Sequence, residues 1–193
     1  MTTRECIREN LAQNPPLPPQ PQSHPDPDYR KKALPHNDDA EAWIIGACLR
    51  HPKIAPLIMD VLPVRALYSI QKQYVLQAIY DLVSRGDAPS LIGVTDLLRR
   101  KKEFGVALPL GEIMLMDWID RVVSPIGAKP SARIVLEYWI GRETIHLTRK
   151  LHDLSWDIAA DYPKALAMMR DLARDLVDKT QLLDRLIASE DLR

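Results

Sequence analysis

Proline sets the outline of this chain before any other residue does. Eight of its sixteen prolines fall at positions 15, 16, 18, 19, 21, 25, 27 and 35. Each one removes a backbone donor and biases the residue before it towards extended geometry, so neither a helix nor a sheet ladder can run through that stretch. Residues 1–35 therefore read as a disordered or polyproline-like arm, a tail or tether rather than a folded layer. Between Ser131 and Ala160, by contrast, there is no proline at all. That stretch can hold one helix of roughly 45 Å at 1.5 Å per residue.

From Asn37 onward the apolar residues recur at helical spacing. Ala40, Trp43, Ile44, Ala47 and Cys48 follow Asn37-Asp38-Asp39, a pattern that predicts an N-cap and an acidic first turn. His51-Pro52 ends this helix. A short apolar segment, Ile54 to Leu62, is interrupted by Pro56 and bounded by Pro63. A longer helix is then expected from about Ser69 to Arg85, with Gly86 as its left-handed stop. Ser90 is placed to cap a helix that ends in Arg99-Arg100-Lys101-Lys102, and another short helix is expected from Glu112 to Val122. Ser124-Pro125-Ile126-Gly127-Ala128-Lys129-Pro130 breaks the chain again.

In the last third, Leu136, Ile140, Thr144, Leu147, Leu151, Leu154 and Ile158 form one series at spacings of four and three. Leu166, Met169, Ala173, Leu176, Thr180, Leu183 and Ile187 form a second, after a turn at Asp161-Tyr162-Pro163. Two such series predict a helical hairpin with a coiled-coil-like seam. Trp139, Ile145, Met168, Leu172, Leu182 and Leu186 lie off that seam and give each helix a surplus apolar stripe. Such a surplus calls for a partner helix from this or another chain. The residues expected to carry self-association are Leu136, Trp139, Ile140, Leu147, Leu151, Met169, Leu172, Leu176 and Leu183. No strong strand alternation extends beyond about four residues. The expected fold is all-α, with a small helical head at 36–125 followed by a long antiparallel hairpin at 130–188.

The function classes narrow by elimination. Lys and Arg number 26 against 26 Asp and Glu, which argues against a protein whose main task is neutralising phosphates. Cys6 and Cys48 alone make neither a disulfide framework nor a zinc knuckle. Apolar runs of four or five residues, with no signal-like N-terminus, predict a soluble, cytoplasmic chain without membrane contact. No phosphate-cradling glycine loop is present, and no strained Gly-x-Ser-x-Gly turn sets up a nucleophile. The expectation is a chain with no catalytic residues, no cofactor and no metal. Glu143-Thr144-Ile145-His146 has the helical carboxylate–imidazole spacing of di-metal bundles, yet such sites need a second copy of the motif and two more glutamates. A metalloenzyme built on Glu143 and His146 is therefore a rival to be removed by metal analysis. Arg99, Arg100, Lys101 and Lys102, with Phe104 just beyond, offer at most a weak, salt-sensitive contact to DNA or an acidic partner, because Asp96 and Glu103 flank them.

The order of these signals resembles the N-terminal domain of DnaB-type replicative DNA helicases. Leu34-Pro35-His36-Asn37 with Ala40-Glu41 is similar to that family's opening, and Trp43-Ile44-Ile45-Gly46-Ala47-Cys48-Leu49 to its apolar-Gly helix. Leu67-Tyr68, the run Val75 to Asp87, Val94-Thr95-Asp96-Leu97-Leu98, and Ala132-Arg133-Ile134-Val135 with Arg142 continue the resemblance in the same order. Lys72-Gln73 stands where the family often has His-Arg, and Ala107-Leu108-Pro109-Leu110-Gly111 where it has Gly-Gly. The ATP-binding motor of the family is missing from this sequence. The resemblance implies a collar module that is not catalytic by itself, self-associates as a dimer or a multiple of dimers, and contacts replication proteins such as primase or a helicase motor. If the sequence is a fragment, the parent is an ATP-dependent helicase. The alternative reading is a stand-alone regulator, decoy or loader-like subunit acting on a separate helicase.

Overall fold

A computed structural model describes the backbone of residues 32–156 and 162–188. The Pro-rich stretch up to residue 31 lies outside the described residues, as does the expected turn at Asp161. Leu34 opens the compact unit that carries every element below. Among the described residues the secondary structure is helical, with no strand. None of these helices is long and apolar enough to cross a membrane.

The first helix, α1 (Asp38–Arg50), begins as its sequence predicts, with the Asn37 side chain accepting from the Ala40 N–H at 2.9 Å. It is buried on nearly every side, which suits a helix with apolar residues all round. Four helices, α2 (Ile54–Val61), α3 (Ile70–Ser84), α6 (Ile113–Asp120) and α7 (Ala128–Trp156), pack around it. Gly46 permits the closest of these approaches, since a Cβ there would sit 2.0 Å from the Trp118 carbonyl oxygen on α6. The short helix α2 was hidden in the sequence by Pro56. That proline falls at the third helical position, where no intrahelical partner exists for its absent N–H.

Helix α3 ends at Gly86, whose φ of 83° is the left-handed conformation its position requires. Ser90 caps α4 (Leu91–Arg100) by accepting from the Gly93 N–H at 3.1 Å. A one-turn helix, α5 (Phe104–Ala107), follows, and then α6. The Tyr80 hydroxyl is buried and donates to the Leu62 carbonyl at 2.7 Å, tying α3 to the segment after α2.

Helix α7 starts three residues earlier than proline spacing suggests, because Pro130 occupies its first turn and disrupts no helical bond. Its opening turns belong to the head. Ala128, Ala132, Val135, Leu136 and Trp139 sit in the same buried cluster as α1 to α4 and α6. Beyond Trp139 the helix continues as one arm of a hairpin whose other arm is α8 (Tyr162–Ala188). The far end of α8 returns to the head. Lys129 Nζ donates to the Ile187 carbonyl at 3.1 Å, and Leu186 is fully buried.

Candidate functional site

The junction between head and hairpin is built on buried charge. Arg142, on α7, is buried, and its guanidinium donates to the carbonyls of Pro35 and Ala66. Burial pulls its pKa below the ordinary arginine value, while the Glu41 and Glu143 carboxylates and Tyr68 oppose that pull. Glu41, buried on α1, accepts from the backbone N–H groups of Tyr68 at 2.6 Å and Ser69 at 3.2 Å. The Tyr68 ring stacks on His36 with centroids 4.2 Å apart. Lys72 is also buried and donates to the carbonyl and carboxylate of Asp38. Sequence reasoning missed these roles. Glu41 and Arg142 stand in the segments that carry the family resemblance, but their partners are backbone groups at least 27 residues away.

Further out, the hairpin is held by a second charged cluster. Lys179 of α8 donates to Glu143 of α7 and to Asp175 of its own helix, and its ammonium lies 5.6 Å from the Trp139 ring centre. Burial lowers the Lys179 pKa, but hydrogen bonds and charge from Asp175 and Glu143 outweigh it, so the net shift is upward. Glu143 thus serves an ion pair within the hairpin. Neither it nor His146 joins a group of three or more potential metal ligands among the described residues.

The expected self-association residues divide into two sets. Leu136 and Trp139 are buried within the chain itself, Trp139 beneath Arg65 and Lys179. Of the surplus stripe, Trp139 and Leu186 are therefore covered within the chain, while Ile145, Leu172 and Leu182 are half-buried and Met168 is exposed. Ile140, Leu147, Leu151, Met169, Leu172, Leu176 and Leu183 are half-buried along the hairpin. Leu147, Leu172 and Leu176 line a small interhelical cavity of about 70 Å³ together with Glu143, His146, Lys150, Asp175 and Lys179.

These contacts fix the rotation of α8. Leu172, Asp175, Lys179, Leu182 and Leu186 face α7 or the core. At 3.6 residues per turn, Leu166, Ala173, Val177 and Asp184 lie about 160° round the helix from that face, and Ile187 about 100°. The structure leaves them exposed: Leu166 is 47% exposed, Val177 58% and Ile187 53%. The heptad seam expected on α8 is thus split. Leu176 and Leu183 remain near the inner face, Leu166 and Ala173 form an outer stripe with Val177, and Ile187 is exposed on the flank between them.

The basic run is largely spent inside the molecule. Arg99 pairs with Glu112 at 2.7 Å, Arg100 with Asp96 at 2.8 Å and Lys101 with Asp81 at 2.5 Å, and the Arg99 guanidinium also covers the Phe104 ring. Lys102 takes a left-handed φ of 60° just past the end of α4. A shallow surface pocket of about 260 Å³ lies elsewhere, lined by Val64, Ile70, Gln73, Tyr74 and Gln77.

Comparison with known proteins places this architecture. The family model of the DnaB-like helicase N terminal domain matches residues 33–137. The replicative DNA helicase DnaB of Synechocystis sp. is 24% identical over 151 residues, covering 78% of this chain and 15% of that protein. That of Nostoc sp. is 26% identical over 139 residues, covering 72% of this chain and 16% of that protein. The alignments thus take in about a sixth of those relatives' length. The crystal structure of the N-terminal domain of DnaB helicase from Mycobacterium tuberculosis superposes with a TM-score of 0.69 at 21% identity, over 75% of this chain and 99% of that one. The family match ends at Glu137, so most of the hairpin lies beyond it. With more than half of its residues matched by the family model, the chain belongs to the DnaB-like helicase N terminal domain family.

Proposed function

We propose that this chain works in DNA replication as a non-catalytic interaction module, self-associating through its hairpin and contacting replication proteins such as primase or a helicase motor. Family membership and the names of the relatives support the process. The observation that carries the mode of action is the outer stripe of α8. Leu166, Ala173 and Val177 are exposed on one side of a helix whose other side is already packed. An apolar row of this kind stays in water only at a free-energy cost, and a second copy relieves it. The charged side chains at the head junction are committed to backbone groups and ion pairs, so they hold the hairpin in place rather than act on a substrate.

The test is the solution mass of the purified chain by light scattering over a range of concentrations. A dimer or a multiple of dimers that dissociates when Val177 is replaced by Asp supports the reading. A monomer at every concentration refutes the self-association half of it.

A further inference from the structure

We propose that the last two turns of α8 form a latch that opens and closes on the head as one unit while the rest of the fold stays closed. The inference stands apart from the self-association reading, because it concerns the inner side of α8 and a contact within one chain.

Lys129 carries the argument. It is the second residue of α7, where the positive end of that helix's own dipole disfavours a cation. Its ammonium instead donates at 3.1 Å to the Ile187 carbonyl, in the last turn of α8, where carbonyls lack partners within the helix and the dipole is negative. A charge that is misplaced for its own helix is thus well placed for the end of its neighbour. Beside this bond, Leu186 is fully buried in the core cluster and Leu182 and Leu183 pack against it, whereas Asp184, Arg185, Ile187 and Ala188 are exposed. Three leucines and one exposed hydrogen bond therefore hold this end of α8 to the head.

The unit has a defined inner limit. Lys179 is buried and held to Glu143 of α7 and to Asp175, so an opening that starts at Ala188 stops at that cluster. Residues 182–188 are too few to remain helical in water without their tertiary contacts, so the segment unwinds when it lifts. Opening bares the three leucines and the head surface they cover. The state of the latch thus decides whether the protein shows an apolar face there, and a ligand for that face shifts the balance towards the open form.

Native hydrogen exchange of the full chain, read peptide by peptide by mass spectrometry, tests the latch. In wild type, residues 182–188 are expected to be protected, yet to exchange at least about tenfold faster than α1. Lys129→Ala is expected to speed exchange over 182–188 about fivefold with α1 unchanged, and Lys129→Arg, which keeps a donor, to stay within about twofold of wild type. Leu186→Ala is expected to speed the same segment about a hundredfold. Exchange of 182–188 at the rate of α1 would mean that this end opens only with the whole fold, and exchange at the rate of an unprotected chain that it never docks; either overturns the proposal. A Lys129→Ala effect that is absent, or spread evenly over the chain, overturns it as well.

Discussion

The Arg142 guanidinium donates to the Pro35 carbonyl at 2.9 Å, joining residues 107 positions apart and fixing where the chain enters the fold against the root of the hairpin. The same side chain donates to the Ala66 carbonyl, so two backbone acceptors depend on one cation. Replacing Arg142 with Met keeps much of the stem volume but orphans both carbonyls. Arg142→Met is expected to destabilise the fold by about 3 kcal/mol, read as a lower midpoint in urea unfolding followed by circular dichroism.

Glu41 makes a complementary prediction from the acidic side. Its carboxylate satisfies two adjacent N–H groups just ahead of α3. Glu41→Gln presents an amide with one acceptor oxygen and a donor that faces another donor. A loss of about 1–2 kcal/mol is expected, with Glu41→Ala costing more, measured by the same unfolding experiment.

Gly46 tests the packing of α1 on α6. With only 2.0 Å between a Cβ at this position and the Trp118 carbonyl oxygen, Gly46→Ala forces the two backbones apart although alanine is the better helix former. The expected net effect is a destabilisation of about 3 kcal/mol, visible as a lower Tm. A Tm at or above that of wild type would contradict the close approach.

Asp81 gives a pH-dependent outcome. Partial burial works to raise its pKa, but hydrogen bonds from Lys101 and Gln77 and the charges of Lys101 and Arg85 outweigh it and hold the group below its ordinary 3.8. A depressed carboxylate pKa contributes stability above the unfolded value, and that contribution is lost as pH falls through the folded one. Asp81→Asn is therefore expected to cost about 0.5–1 kcal/mol at pH 7, a gap that closes as the pH drops below 3.8. Chemical denaturation at neutral and acidic pH checks the sign.

Local signals in the sequence carried much of the fold. The Asn37 and Ser90 caps, the Gly86 stop and the long proline-free helix depend on neighbours within one turn, and the structure places them where those neighbours dictate. Helix α2 was obscured because a proline reads as a breaker unless its position within the first turn is known. The inner shell of Glu41, Lys72 and Arg142 had no local signature, since each reaches backbone or side-chain groups at least 27 residues away. The hairpin was legible as a pair of heptad series, but periodicity alone does not say which flank of α8 meets α7. Lys179 decides that by turning inward to Glu143, which leaves Leu166, Val177 and Ile187 outside and takes Trp139 out of reach of any partner.

On the proposed reading, the outer stripe of α8 joins two copies of this chain. Its most direct test is light scattering on the wild-type chain and on Val177→Asp across a wide concentration range. The expected wild-type mass is twice the 22.0 kDa protomer or a multiple of that, shifting to the protomer mass in the variant with its helical circular dichroism unchanged. A wild-type mass of one protomer at the highest concentration, or a variant that stays associated, would contradict it.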